Sequence, residues 1–106
     1  MDERIRWLFG DLKAGLAGLY GPRLKEVLLY GSYARGEQDG ESDADVLIVL
    51  DKPERYGDEV DRTSLLISEV SLKYGVAISR TFVAERDWAI HGSSFLANVR
   101  EEAIPA

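Results

Sequence analysis

The sequence predicts a mixed α/β (α+β) domain: a small mixed β-sheet with helices mainly on one face. The chain has 106 residues, 45% apolar and 30% charged, which suits one domain with one hydrophobic core. Runs with helical periodicity alternate with short β-prone runs. The segment between the first two β-prone runs is too short for a crossover helix. These two strands should therefore pair as neighbours, in antiparallel or mixed fashion.

The first half of the chain predicts one helix and two strands. Apolar residues recur at helical spacing over Arg4–Tyr20, and Asp2 is a suitable N-cap. A β-prone run covers Glu26–Tyr30, and the glycine-rich polar segment Tyr33–Ser42 predicts a loop. The run Asp43–Leu50 predicts a second strand. Its apolar part is continuous, which is typical of a strand covered on both faces or lying in mid-sheet.

The second half predicts a long helix, a third strand and a short helical tail. The helix should begin at an Asp58 cap and end at Tyr74, with Leu65, Leu66 and Leu72 widening its apolar stripe. The third strand is expected over Val76–Val83. Short helical segments are expected near Glu85–Ile90 and from Phe95 to Glu102.

Composition excludes several kinds of chemistry. The chain has no cysteine and one histidine, which excludes zinc clusters, disulfides, cysteine nucleophiles and two-histidine metal sites. Thirteen Lys and Arg against nineteen Asp and Glu leave a net charge of −6, which argues against general nucleic-acid binding. The N-terminal residues do not resemble a signal peptide, and the longest apolar run, Val46–Leu50, is too short to span a bilayer. We therefore expect a cytoplasmic protein without membrane association.

One segment combines residues suited to phosphate and metal binding. Strand alternation places Asp43 and Asp45 on the same face, where their carboxylates can jointly hold a hard divalent cation such as Mg²⁺. Upstream, Gly31 lets the backbone approach a ligand closely, and Ser32 offers a hydroxyl and an amide to a phosphate. Metal carboxylates beside a phosphate-binding turn indicate chemistry on a nucleoside triphosphate.

At these residues the sequence resembles the polymerase-β-like nucleotidyltransferases, and within them the minimal nucleotidyltransferases, or MNT proteins. The resemblance rests on Gly31-Ser32, ten intervening residues and Asp43-x-Asp45. It implies the nucleotidyltransferase fold, with Asp43 and Asp45 as catalytic ligands of Mg²⁺ or Mn²⁺. It further implies Gly31 and Ser32 as the phosphate turn and Arg35 as a candidate phosphate contact.

The same resemblance implies a reaction and partners. A hydroxyl would attack the α-phosphate of a nucleoside triphosphate, expected to be ATP, and release pyrophosphate. MNT proteins commonly pair with a helical HEPN protein as toxin and antitoxin, and some transfer AMP to a tyrosine of that partner. For the apolar sheet face that carries Leu47 and Val49, a partner or a homo-oligomer is a further expectation; the alternative is that the C-terminal segment covers this face.

The sequence departs from the family pattern on the third strand. The family places a third carboxylate there, whereas this strand has no acid and Ser79 is expected at that position. A partner could supply the acid, one metal could suffice, or the protein could bind without turnover. Glu85 and Asp87 are candidate substitutes. The alternative function is therefore a catalytically decayed fold acting as a protein-binding, antitoxin-like module. An aminoglycoside-type adenylyltransferase fits less well, because such enzymes usually carry an additional helical domain.

Overall fold

The structure, a computed structural model, describes residues 2–53, 55–90 and 93–105. Its strands are β1 (Leu24–Tyr30), β2 (Ala44–Leu50), β3 (Ile78–Ala84) and β4 (Ile104–Pro105). Its helices are α1 (Glu3–Tyr20), α2 (Gly31–Arg35), α3 (Tyr56–Tyr74), α4 (Glu85–Ile90) and α5 (Ser94–Glu102), with a 3₁₀ turn at Gly21–Arg23.

The strands form one mixed sheet in the order β3-β2-β1-β4. β1 pairs antiparallel with β2, as expected from the short connection between them. After β2 the chain passes through α3 into β3, which pairs parallel with β2. The two-residue β4 pairs antiparallel with β1. The segment Val46–Leu50 of β2 is fully buried, which confirms that this strand is central and covered on both faces.

Helices cover both faces of the sheet, the two long ones on the same side. α1 and α3 pack on that side over the larger core, which includes Leu12, Leu29, Ile48, Ile67 and Phe82. The short helices α4 and α5 cover the other side, where they bury Leu28, Leu47, Val49, Trp88, Leu96 and Val99. The C-terminal segment therefore covers the sheet face that carries Leu47 and Val49, the second of the two alternatives considered for it.

The helix ends confirm some expectations and correct others. The Asp2 side chain accepts a hydrogen bond from the Arg4 amide at 2.8 Å and caps α1 as predicted. The predicted Asp58 cap is wrong: α3 begins two residues earlier, at Tyr56, and Asp58 lies in its first turn. The expected burial of Leu65 and Leu72 is also wrong, since they are 73% and 85% exposed. α3 packs on the sheet and α1 along one stripe, and these two leucines lie outside it.

None of the helices in the described ranges is long and apolar enough to cross a membrane.

Candidate functional site

The turn that joins β1 to α2 places a glycine against an aspartate of the next strand. Gly31 has a φ of +73°, in the left-handed region that favours glycine. A β-carbon at this position would overlap the Oδ2 atom of Asp45. Gly31 is therefore required both for the turn and for the space that the Asp45 carboxylate occupies.

The two predicted aspartates lie at the start of β2. Asp43 immediately precedes the strand and is exposed, whereas Asp45 is its second residue and is partly buried. Within the described part of the chain, the Asp45 carboxylate accepts no hydrogen bond. Burial raises the pKa of Asp45, and the neighbouring charge of Asp43 adds to that effect. The charge of Arg35 acts in the other direction but offsets these effects only in part, so the pKa of Asp45 stays raised.

This pair is chemically suited to a hard divalent cation. Mg²⁺ binds carboxylate oxygens and usually keeps several waters and substrate phosphates, so two carboxylates are enough to hold it. A cation between Asp43 and Asp45 would also stabilise the charged form of Asp45, which burial and the repulsion by Asp43 destabilise. Among residues 2–53, 55–90 and 93–105 there is no group of three or more acids or histidines placed to hold a metal. The fit is therefore to a metal that takes its remaining ligands from substrate and water.

The strands on either side of β2 bring Tyr30 and Ser79 next to Asp45. In the sheet register, Asp45 is paired with Tyr30 of β1 and with Ser79 of β3. Ser79, which is exposed, thus stands on the third strand directly beside the second aspartate. Its hydroxyl is a weak metal ligand and no base at neutral pH.

Glu85 and Asp87 do not substitute for the missing acid. Both belong to α4, which begins after the last residue of β3, whereas Ser79 lies near the first. Because a seven-residue strand is about 20 Å long, these carboxylates lie at the opposite end of the sheet from Asp45.

The turn predicted to bind phosphate contacts a different acid, Glu102, which the sequence did not point to. The Gly31 amide donates to Glu102 Oε1 at 2.9 Å, and the Arg35 guanidinium donates to Glu102 Oε2 at 2.8 Å. Arg35 also donates to Glu37 at 2.8 Å. The Arg35 charge, and then the Gly31 N–H, lower the pKa of Glu102. Two of the three residues expected to bind phosphate therefore already hold an anionic group.

Ser32 retains a free side chain in this arrangement. It is partly exposed, and its hydroxyl makes no hydrogen bond to the residues that the structure describes. The fold thus brings together Gly31, Ser32, Arg35, Asp43 and Asp45 at one end of the β1–β2 pair, and it adds Glu102. No local pattern could have indicated Glu102, because it lies 71 residues beyond Gly31 in the chain.

Sequence comparison relates the chain to proteins of one family. The profile of the nucleotidyltransferase domain matches residues 11–92. The chain is 37% identical over 93 residues to "Putative protein adenylyltransferase MJ0604" of Methanocaldococcus jannaschii, covering 82% of each protein. It is 38% identical over 69 residues to "Putative protein adenylyltransferase MJ0141" of the same organism, covering 65% of this chain and 69% of that one.

Structural comparison finds the same fold in more distant proteins. A crystal structure described as a putative nucleotidyltransferase from Sulfolobus solfataricus superposes with a TM-score of 0.67 at 22% identity, covering 96% of this chain and 80% of that chain. A chain from the crystal structure of a toxin-antitoxin with AMP-PNP superposes with a TM-score of 0.59 at 18% identity, covering 90% and 69%. At these identities the likeness concerns the fold alone.

Proposed function

This chain belongs to the nucleotidyltransferase domain family, and from that membership we propose that it transfers AMP from ATP to a hydroxyl of an acceptor protein. The observation that carries the proposal is the Asp45 carboxylate beside the Gly31 turn, which is partly buried and has no hydrogen-bond donor among the described residues. A partly buried carboxylate without a donor is unfavourable unless a cation binds it. The names of the curated relatives, each printed as "Putative protein adenylyltransferase", support ATP as donor and a protein as acceptor.

In the proposed complex, Asp43 and Asp45 hold Mg²⁺ or Mn²⁺. The Gly31 amide, the Ser32 hydroxyl and the Arg35 guanidinium bind phosphate oxygens of the triphosphate. The metal, when bound, supplies positive charge to the phosphates. The protein's own part is to orient the triphosphate and to neutralise the charge that develops on the departing pyrophosphate.

The proposed reaction exchanges one phosphorus–oxygen bond for another. The acceptor hydroxyl oxygen bonds to the α-phosphorus, the bond from that phosphorus to the bridging oxygen breaks, and pyrophosphate leaves. The hydroxyl proton passes to water, because Ser79 cannot accept it at neutral pH.

We further propose that the acceptor belongs to a helical HEPN protein with which this chain forms a toxin–antitoxin pair. The structural likeness to chains from toxin-antitoxin crystal structures, one of them with AMP-PNP, supports a nucleotide and a partner protein. The net charge of −6 suits a protein partner better than a nucleic acid. The use of ATP agrees with the cytoplasmic location expected from the sequence.

The second candidate function is a non-catalytic protein-binding module of the same fold. Ser79 beside Asp45 favours it, because the third strand supplies no carboxylate. The two functions make different demands on the aspartates. The transferase needs them to modify the partner covalently, whereas the binding module needs only its surface to bind the partner.

Intact-mass measurement of the partner separates the two functions. After incubation with ATP and Mg²⁺ or Mn²⁺, we expect the proposed HEPN partner to gain one AMP. Asp43→Asn and Asp45→Asn should each slow this gain by about 100-fold or more, as expected for loss of an electrostatic contact to the reacting phosphate. Asp39→Asn, which removes a nearby exposed charge, is the matched control and should leave the rate unchanged. No gain with the wild-type protein, together with partner binding by both variants, would support the binding module instead.

A further inference from the structure

The Glu102 carboxylate contacts two residues that the proposed function assigns to the triphosphate. Its two oxygens accept from the Gly31 amide at 2.9 Å and from the Arg35 guanidinium at 2.8 Å. A phosphate group offers the same arrangement, with two anionic oxygens on one centre facing two donors. Glu102 and a phosphate therefore cannot use these two donors in the same way at the same time.

The backbone on both sides of Glu102 is held in place. α5, which ends at Glu102, buries Leu96 and Val99 in the smaller core, and its Phe95 ring packs edge-on against Tyr30. Just beyond Glu102, Ile104 and Pro105 form β4 on the edge of β1. Because these contacts fix the main chain, the carboxylate can leave by rotation of its own side chain. That side chain is 25% exposed, so water is available to it.

We propose that Glu102 is an intramolecular competitor that lowers the affinity of the site for the triphosphate. This inference rests on the proposed nucleotide binding. When the carboxylate is on Gly31 and Arg35, phosphate is excluded from these donors, and nucleotide binds only to the fraction of molecules in which they are free. The apparent dissociation constant rises in inverse proportion to that fraction. A carboxylate that occupies the donors for about 90% of the time weakens binding about 10-fold.

A role for Glu102 as the missing third metal ligand predicts the opposite sign. Both of its oxygens are engaged with donors, and within the described residues no three acids are placed to hold a metal. If Glu102 held the metal, its removal would weaken binding of the metal–nucleotide complex. If it competes with phosphate, its removal strengthens binding.

Isothermal titration of four proteins tests the competition. The wild type, Glu102→Gln, Glu102→Ala and the control Glu101→Gln are each titrated with Mg-ATP and with inorganic tripolyphosphate. Glu101 is exposed, lies one residue away and carries the same charge, so its variant measures the general effect of one less negative charge. We expect both Glu102 variants to bind each ligand about 10-fold more tightly than Glu101→Gln does. The Gly31 amide resonance should shift in the Glu102 variants and not in the control.

Each other outcome contradicts the competitor role in a recognisable way. If the wild type binds Mg-ATP and the Glu102 variants bind equally or less tightly than Glu101→Gln, Glu102 is not a competitor, while the proposed function stands. If none of the four proteins binds either ligand, the proposed nucleotide binding fails, and the competitor role fails with it.

Discussion

Two acidic residues near opposite ends of the β1–β2 pair differ in the hydrogen bonds that their carboxylates accept. Glu59, in the first turn of α3, is fully buried and accepts from Tyr20 at 3.0 Å, Arg23 at 3.2 Å and Arg62 at 2.5 Å. Asp45 is partly buried, and in the described part of the chain it accepts no hydrogen bond. Among the residues that the structure describes, Glu59 therefore has three side-chain donors and Asp45 has none.

The charges and hydrogen-bonding groups around the two carboxylates differ in the same way. Burial, and then Glu59, raise the pKa of Tyr20 to about 12, so Tyr20 keeps its proton and remains a donor to Glu59. The Arg23 guanidinium also lies 5.3 Å from the centre of the Tyr20 ring, which adds a cation–π contact. Asp45 instead has a second acid, Asp43, as its neighbour, and burial, followed by the charge of Asp43, raises the pKa of Asp45. The Glu59 cluster therefore stabilises the fold, whereas the Asp45 pair is suited to an external cation.

The largest expected effect is on stability, from loss of the saturated acid. Glu59→Ala leaves the buried Tyr20 hydroxyl and the Arg62 guanidinium without this acceptor and removes one of the acceptors of Arg23. We expect it to lower the free energy of unfolding by about 3 kcal/mol. For a domain of this size, that is a fall in melting temperature of more than about 10 °C. Thermal unfolding followed by circular dichroism measures it. Glu69→Ala, on the exposed face of α3, is the control and should change stability by less than about 0.5 kcal/mol. Equal losses of stability from the two variants would mean that Glu59 stabilises the fold no more than an exposed acid does.

The next effect concerns the space that Gly31 leaves for Asp45. Gly31→Ala and Gly36→Ala both put a side chain at positive φ, and each should cost about 1 kcal/mol for that reason. A β-carbon at Gly31 also overlaps the Asp45 carboxylate, whereas no atom of another described residue lies within 4 Å of one at Gly36. We therefore expect Gly31→Ala to cost about 1 kcal/mol more than Gly36→Ala.

Mg-ATP binding gives the same pair of variants a second readout. Gly31→Ala should weaken binding by about 10-fold or more, because it displaces a proposed metal ligand and alters a proposed phosphate donor. Gly36→Ala should bind as the wild type does. If both variants lose the same stability and bind equally well, the contact between Gly31 and Asp45 has no part in the site.

Local patterns in the sequence were sufficient for the main elements and for part of the site. Periodicity and turn residues predicted α1, β1, β2, α3 and β3 in order, because each buries a regular stripe or run of apolar side chains. The sequence also predicted that Gly31-Ser32 and Asp43-x-Asp45 lie close together. They do, because the first pair follows β1, the second lies at the start of β2, and these two strands pair antiparallel. Their roles in binding stay predictions until the aspartate variants are tested.

What the sequence did not reveal depends on contacts between distant segments. Glu102 reaches Gly31 across 71 residues, and Glu59 meets Tyr20 across 39, so neither contact has a local signal. β4 is two residues long and exists only because β1 offers it an edge. The expected burial of Leu72 was wrong for a related reason. Hydrophobicity shows which side chains can be buried, but packing decides which of them are.

The smallest expected effect, from neutralising Asp45, has the opposite sign to that of Glu59→Ala. Asp45→Asn removes a partly buried charge that accepts no hydrogen bond from the described residues and is repelled by Asp43. We therefore expect a gain of about 0.5 kcal/mol at pH 7. Because the folded-state pKa of Asp45 is raised above its ordinary value of 3.8, the unfavourable contribution of its charge is present at neutral pH. That contribution disappears as the pH falls through the raised pKa. Urea unfolding of both proteins at pH 7 and at pH 3.5 should show the gain at the higher pH only. A variant less stable than the wild type at pH 7 would mean that Asp45, like Glu59, is a structural carboxylate, and the contrast between the two acids would be lost.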